Sequence, residues 1–141
     1  MIAAYFHIVS DIERIGDHAE NVAELAKEMI ADGIRFTENS VKELLDMKQQ
    51  VNAILADSLH MFVSGDATHM QRIRLMEDEI DQTERMLQAR HIRRLGEGKC
   101  TPQAGIYFSD IVSGLERVSD HAINIAFSLT EAREGINHHT N

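Results

Sequence analysis

The chain has 141 residues, 43% of them apolar and 26% charged, and a formal net charge of −9. That length suits one domain with a buried core, and the balance is that of a globular protein and not a disordered one. The acidic excess argues against a nucleic-acid partner, since phosphate backbones need a cationic face, and favours cationic partners, metal ions included. Cys100 is the single cysteine, so no internal disulfide is available and nothing points to an oxidising compartment. No apolar run approaches the roughly 20 residues of a membrane span, so no direct membrane insertion is expected.

The first predicted element is a helix over about 4–32. Ile8, Ile12, Ile15, Ala19, Val22, Ala26 and Met29 step by three and four, as one buried helical stripe does, and Gly33 follows as a stop. A second helix over about 38–64 has Thr37 and Ser40 as candidate N-caps, with Glu43 as a capping-box partner. Ser64-Gly65-Asp66 reads as a C-terminal glycine followed by an N-cap aspartate. A third helix over about 67–95 then carries Met70, Ile73, Met76, Ile80 and Leu87 and ends at Gly96-Glu97-Gly98. Thr101-Pro102 places a cap before proline at the first helical position and opens a fourth helix over about 103–134, with Ile111, Leu115, Val118, Ala122, Ile125 and Leu129 as its stripe. No segment alternates with period two. The expected fold is all-α, an antiparallel up-down bundle of four long helices forming a single domain over 1–141. The seven methionines are expected to fill the core, the basic run Arg90–Arg94 to complement the negative end of the third helix, with a grip on phosphate as the alternative, and His138 and His139 to form a frayed tail.

One pattern does not reduce to packing. Aligned without a gap from Ile8 and from Ile111, ten of nineteen positions are identical. The conserved set is polar as well as apolar: Glu13, Arg14, Asp17, His18 and Asn21 recur as Glu116, Arg117, Asp120, His121 and Asn124. The repeats lie on the first and fourth helices with two unrelated helices between them. If each repeat closes a three-helix unit, the second unit is complete and the first lacks two helices. The expectation is therefore a piece of something longer, whose first helix finds cover within the bundle or on another copy of the chain; a homo-oligomer is expected.

Positions i, i+4 and i+8 form one row on a helix, so Glu13, Asp17 and Asn21 align, as do Glu116, Asp120 and Asn124. On an ideal wheel both rows lie roughly 130–190° from their apolar stripe, which predicts outward-facing ladders. Buried di-iron chemistry is disfavoured by that placement and by the absence of any Glu-x-x-His pair. Stacked carboxylates repel by a few tenths of a kcal/mol per pair, and a bound cation reverses the sign. Oxygen donors suit Mg²⁺, Mn²⁺ or Fe, and a nearby imidazole extends the choice to Zn²⁺. Each row brings two carboxylates, so Glu77, Asp81, Glu84 or Asp110 must complete a shell. The alternative is a solvated face in which Arg14 pairs with Asp17 and Arg117 with Asp120, leaving a metal-free adaptor that docks a cationic partner. His18 and His121, on another side of the helix, read as boundary residues before ligands. No nucleophile–base pair or glycine-rich phosphate loop suggests an enzyme.

Glu-Arg-Ile-Gly-Asp-His-Ala-Glu-Asn at 13–21 and Glu-Arg-Val-Ser-Asp-His-Ala-Ile-Asn at 116–124 resemble the paired motifs of the PhoU family, and the acidic stretch at 76–81 is similar to the family's penultimate helix. The resemblance covers all four helices, corresponding to the last four of the family's six. It implies a regulator of phosphate uptake carrying metal ions on Glu13, Asp17, Glu116 and Asp120, with Asn21 and Asn124 extending the rows. The implied partner is a phosphate transporter or its membrane domain, and the implied location is cytoplasmic, at the inner face of the membrane. The abrupt start at Met1 suits the soluble tail of a sodium/phosphate cotransporter-like protein.

Overall fold

The computed structural model describes residues 2–137, with side chains through Gly135, so His138 and His139 lie outside the described residues. Four helices follow one another: α1 (Ile2–Ala31), α2 (Glu38–Ser64), α3 (Met70–Gly96) and α4 (Pro102–Asn137). The fold is the expected all-α bundle.

Local chemistry sets the helix ends. Thr37 caps α2, its hydroxyl oxygen accepting from the Ser40 N–H at 3.2 Å. Ser40 therefore lies inside the first turn and is not the cap, and Glu43 is released from a capping box to hold Arg94 on α3, at 3.1 Å. Gly65 ends α2 in the left-handed conformation, φ +68°, and donates back to the Met61 carbonyl. Asp66 does not cap α3. Its carboxylate accepts from the Thr68 N–H at 2.9 Å, a local turn that delays the helix to Met70. Thr101 caps α4 as expected, accepting from the Ala104 N–H at 3.1 Å. Helix α4 runs past its expected end near 134 to Asn137.

Of the helix pairs in contact, α2–α3, α3–α4 and α1–α4 are antiparallel and α2–α4 is parallel. The α2–α3 pair is tied near one end by Arg72–Asp57 and near the other by Arg94–Glu43, and α3–α4 by the Gln88–Ser109 hydrogen bonds. Helix α4 is the centre, because it alone packs against all three others. Its buried residues come in doublets, Ile111-Val112, Val118-Ser119, Ala122-Ile123 and Ile125-Ala126, so two stripes of its surface are covered. Met47, Val51, Ile54 and Met61 of α2 and Ile73, Ile80 and Leu87 of α3 complete the core.

Helix α1 rests on α4. The two run antiparallel, with Tyr107 donating to Asp32 at one end and Tyr5 and Ala4 beside Ala132 and Arg133 at the other. Because they carry the same motif, they meet about a local pseudo-twofold axis. His18 and its repeat mate His121 stack on each other, ring centroids 5.2 Å apart. His121 Nδ1 also lies 3.0 Å from the buried Asp11 carboxylate. The mate of that bond is missing, because Gly114 stands where the first repeat has Asp11. A Cβ on Gly114 would sit 2.6 Å from Val22 Cγ2, so glycine is what lets α1 approach this closely. The other side of α1 is open, and Ile2, Phe6, Val9 and Ile12 are exposed.

Gly114→Ala is therefore expected to lower stability by about 1–2 kcal/mol, overpacking outweighing the helix propensity gained. Adding Val22→Ala is expected to recover most of that loss in urea unfolding. Additive losses in the double variant would show that the two positions do not touch.

Candidate metal centre

Glu77, Asp81 and Glu84 are spaced four and three apart, which places them on one face of α3. Glu116 and Asp120 are four apart on α4. The antiparallel packing of the two helices sets these faces opposite each other. Oxygens of Glu77, Asp81 and Asp120 all lie within 4.8 Å of one another, and so do those of Asp81, Glu84 and Glu116. Asp81 belongs to both triads, so five carboxylates form one continuous groove. At such separations two full charges repel by roughly 3 kcal/mol for an effective dielectric of about 20. Protons or cations in the groove relieve that repulsion.

In the bare protein, protons do part of this. Burial, then the hydrogen bond and charge of Asp120, then the charges of Glu84 and Asp81, push Glu116 up to about 8. Burial followed by the charge and hydrogen bond of Asp81 raises Glu77 to about 7. Burial and the charges of Asp81 and Asp120 also raise Glu84. Basic side chains offer little relief. Arg74 stands at the mouth of the groove but lies over the Phe127 ring, 5.2 Å from its centroid. The pairs Arg14–Asp17 and Arg117–Asp120, which the spacing allowed, do not form among the described residues.

The two rows behave differently. On α4, Glu116 and Asp120 are half-buried against α3, which corrects the expectation of an outward ladder. Asn124 is exposed at the mouth of the groove beside Asp120. On α1, Glu13, Asp17 and Asn21 are exposed, and among the described residues no third carboxylate joins them. Asp110 joins neither triad, whereas Glu77, Asp81 and Glu84 do. His121 turns away to Asp11, so the groove offers oxygen donors alone. The sequence reading missed Asp11, the charged residue at the centre of the α1–α4 contact. A signal was present: an aspartate one turn before the motif, with glycine at the matching place in the other repeat.

An all-α bundle with a carboxylate groove between two antiparallel helices, and the motif that builds it repeated on a third, defines a class of acidic-faced helical domain. The PhoU domain model matches residues 1–26 and 44–129, and the chain belongs to that family. It is 30% identical over 128 residues to a phosphate-specific transport system accessory protein PhoU homolog 1 of Thermotoga maritima, covering 91% of this chain and 54% of that one. The corresponding homolog of Borreliella burgdorferi is 30% identical over 139 residues, 95% of this chain and 61% of that one. For that of Deinococcus radiodurans the identity is 28%, over 89% of this chain and 58% of the relative. The chain thus spans a little over half the length of these relatives. No solved structure matches it. Among the described residues no helix is long and apolar enough to cross a membrane.

The raised carboxylates fix a pH dependence. A group whose pKa is raised on folding holds its proton in the native state after the unfolded chain has released it, so stability falls as pH rises. For Glu116 the window runs from about 4.5 to about 8. Metal-free protein in EDTA is expected to melt at progressively lower temperature from pH 5 to pH 8. Glu116→Gln should flatten that slope; an unchanged slope would show that the groove is not its source.

Proposed function

We propose that this chain is a regulatory domain of phosphate transport whose α3–α4 groove holds hard metal ions. The observation that carries the reading is the pair of triads sharing Asp81, built from motif carboxylates on α4 and from three acids on α3. Glu77, Asp81 and Asp120 would hold one ion, and Asp81, Glu84 and Glu116 another, with water filling the remaining positions. An oxygen-only donor set favours Mg²⁺, Mn²⁺ or Fe over Zn²⁺, which prefers nitrogen and sulfur. Bound metal would neutralise the groove and lock α3 to α4. The exposed row Glu13, Asp17 and Asn21 would bind only with donors from another polypeptide surface. The open apolar side of α1 supports the expected self-association.

The phosphate-transport role rests on family membership and on the accessory-protein names of the relatives. It acts by docking on a phosphate transporter and not by catalysis, and its place is the cytoplasmic side of the membrane. The further expectation of a sodium/phosphate cotransporter tail draws no support from these relatives, which carry accessory-protein names. Against the metal-free adaptor stands the cost of the groove itself, since a docking face needs no five carboxylates turned towards one another.

Protein purified without a His-tag and dialysed against Mn²⁺ is expected to hold one to two ions by elemental analysis. A Glu116→Gln/Asp120→Asn double variant should lose them while remaining folded, because the amides keep shape and remove charge. Wild-type protein that stays metal-free would overturn the metal reading. For the regulatory reading, the same double substitution in the chromosomal gene is expected to change the rate of phosphate uptake, and uptake identical to the parent strain would count against it.

A further inference from the structure

The groove is not the only place where charge is concentrated. Towards the start of α4, roughly 12–24 Å from the groove at 1.5 Å per residue, lies a cavity of opposite sign. Helices α2 and α4 are parallel and begin at the same end of the bundle, so their caps Thr37 and Thr101 face a common cavity of about 190 Å³. Arg35, Arg94, Lys99 and His91 line it, and no carboxylate does, although Lys99 reaches outward to Glu97 at 2.7 Å and Arg94 to Glu43 at 3.1 Å; Arg35 forms no ion pair among the described residues. The positive ends of two helix dipoles meet there with three permanent cations. In a chain of net charge −9 this is an unusual concentration.

Complementing the end of α3 accounts for part of it. Arg93 and Arg94 do stand in the last turn of that helix. Lys99 follows the end of α3 directly, its N–H donating to the Arg94 carbonyl at 2.9 Å, so the α3 end accounts for it as well, but not for Arg35 in the loop before α2. Glu43 is shared between Arg94 at 3.1 Å and Arg90 at 3.7 Å, and one carboxylate cannot neutralise two guanidinium groups. Arg94 is at the same time held over the Phe108 ring, 5.1 Å from its centroid, so its position is fixed in advance of any ligand.

His91 supplies the independent sign of a ligand. It is only 7% exposed, yet its ring makes no hydrogen bond to any described residue. Its ring nitrogens are not sealed off, so their remaining access is to the cavity that the ring borders, where they are free to bond a ligand. Its ring lies over the first turn of α4 against Gly105, where any larger residue would collide with it, and borders the cavity. Glycine there makes room for the imidazole at the helix start.

From this arrangement we infer that the cavity binds a small tetrahedral oxyanion of the inorganic phosphate or sulfate class. Arg35, Arg94, Lys99 and His91 would donate to it from the sides, with the starts of α2 and α4 behind. The volume is adequate, since a cavity of about 150 Å³ holds a benzene ring. The inference does not rest on the metal groove.

The test is a titration of the full chain with sodium phosphate, sodium sulfate and, as a control at matched ionic strength, sodium chloride. EDTA is present throughout, so that bound metal cannot carry the anion. Calorimetry and amide NMR are read together. Expected are saturable binding of phosphate or sulfate at one site and the largest shifts at Gly105 and the His91 ring; whichever anion binds tighter identifies the ligand. Arg35→Ala/Lys99→Ala changes two exposed side chains and should weaken binding at least tenfold with the melting temperature retained. His91→Phe should abolish it, and Glu116→Gln/Asp120→Asn should leave it intact. Shifts that grow without saturation, shifts matched by chloride, or saturable binding indifferent to Arg35→Ala/Lys99→Ala would each overturn the inference.

Discussion

Helix α4 is covered along two stripes at once, and this double burial decides where the chain's carboxylates can go. A helix in contact with three neighbours leaves little of its circumference free. The row from Glu116 to Asn124 falls at the edge of the covered arc, next to α3. Glu116 is about 20° from Ile123 on an ideal wheel, and Asp120 and Asn124 turn progressively further out. Half-burial of the first two acids follows from that drift, and so does the exposure of the asparagine. The same row on α1 has no such neighbour and stays in solvent. Identical sequence thus gives two different environments, and the difference comes from packing alone.

The groove illustrates how a fold can retain an unfavourable feature. Two triads of carboxylates sharing Asp81 are unfavourable in the bare chain, because each charge raises the cost of ionising its neighbours within the triad. Their neighbours do not rescue them: Arg74 lies over an aromatic ring, and His121 is committed to Asp11. What remains is a site whose charge the chain's basic groups offset only in part, through Arg85 and Arg117 acting on Glu84. The far end of the bundle shows the inverse, with Arg35, Arg94 and Lys99 around an unbonded imidazole. The two regions are separated along α4, so the molecule is electrically polarised although its composition reads only as acidic.

Much of the architecture was legible from residue spacing. The four helices, the Thr37 and Thr101 caps and the Gly65 stop each have a local chemical cause, and local causes survive into the fold. The errors arose where tertiary context decides. Taking Ile111, Leu115, Val118, Ala122, Ile125 and Leu129 as the whole apolar face of α4 turned its acid row outward; the adjacent stripe of Phe108, Val112, Ser119, Ile123 and Ala126 widens the buried arc and brings the row inward. The doublets that reveal this were visible in the sequence. Glu43 and Asp66 were misassigned because capping patterns do not show that a better partner, Arg94 in one case and the Thr68 amide in the other, lies nearby. Which of four donors would complete the site was not legible, since spacing puts acids on one face of α3 but cannot say that this face meets α4.

Asp81 stands in both triads, and that has a consequence for the order of events. A single carboxylate carries one negative charge, and a cation on either side of it withdraws density from the other side. Two ions bridged by this residue would repel across it, so the pair would load in sequence, the second at a higher concentration than the first. If it held ions, such a groove would distinguish three conditions, empty, half-filled and full, where two separate sites of equal strength would give one graded response.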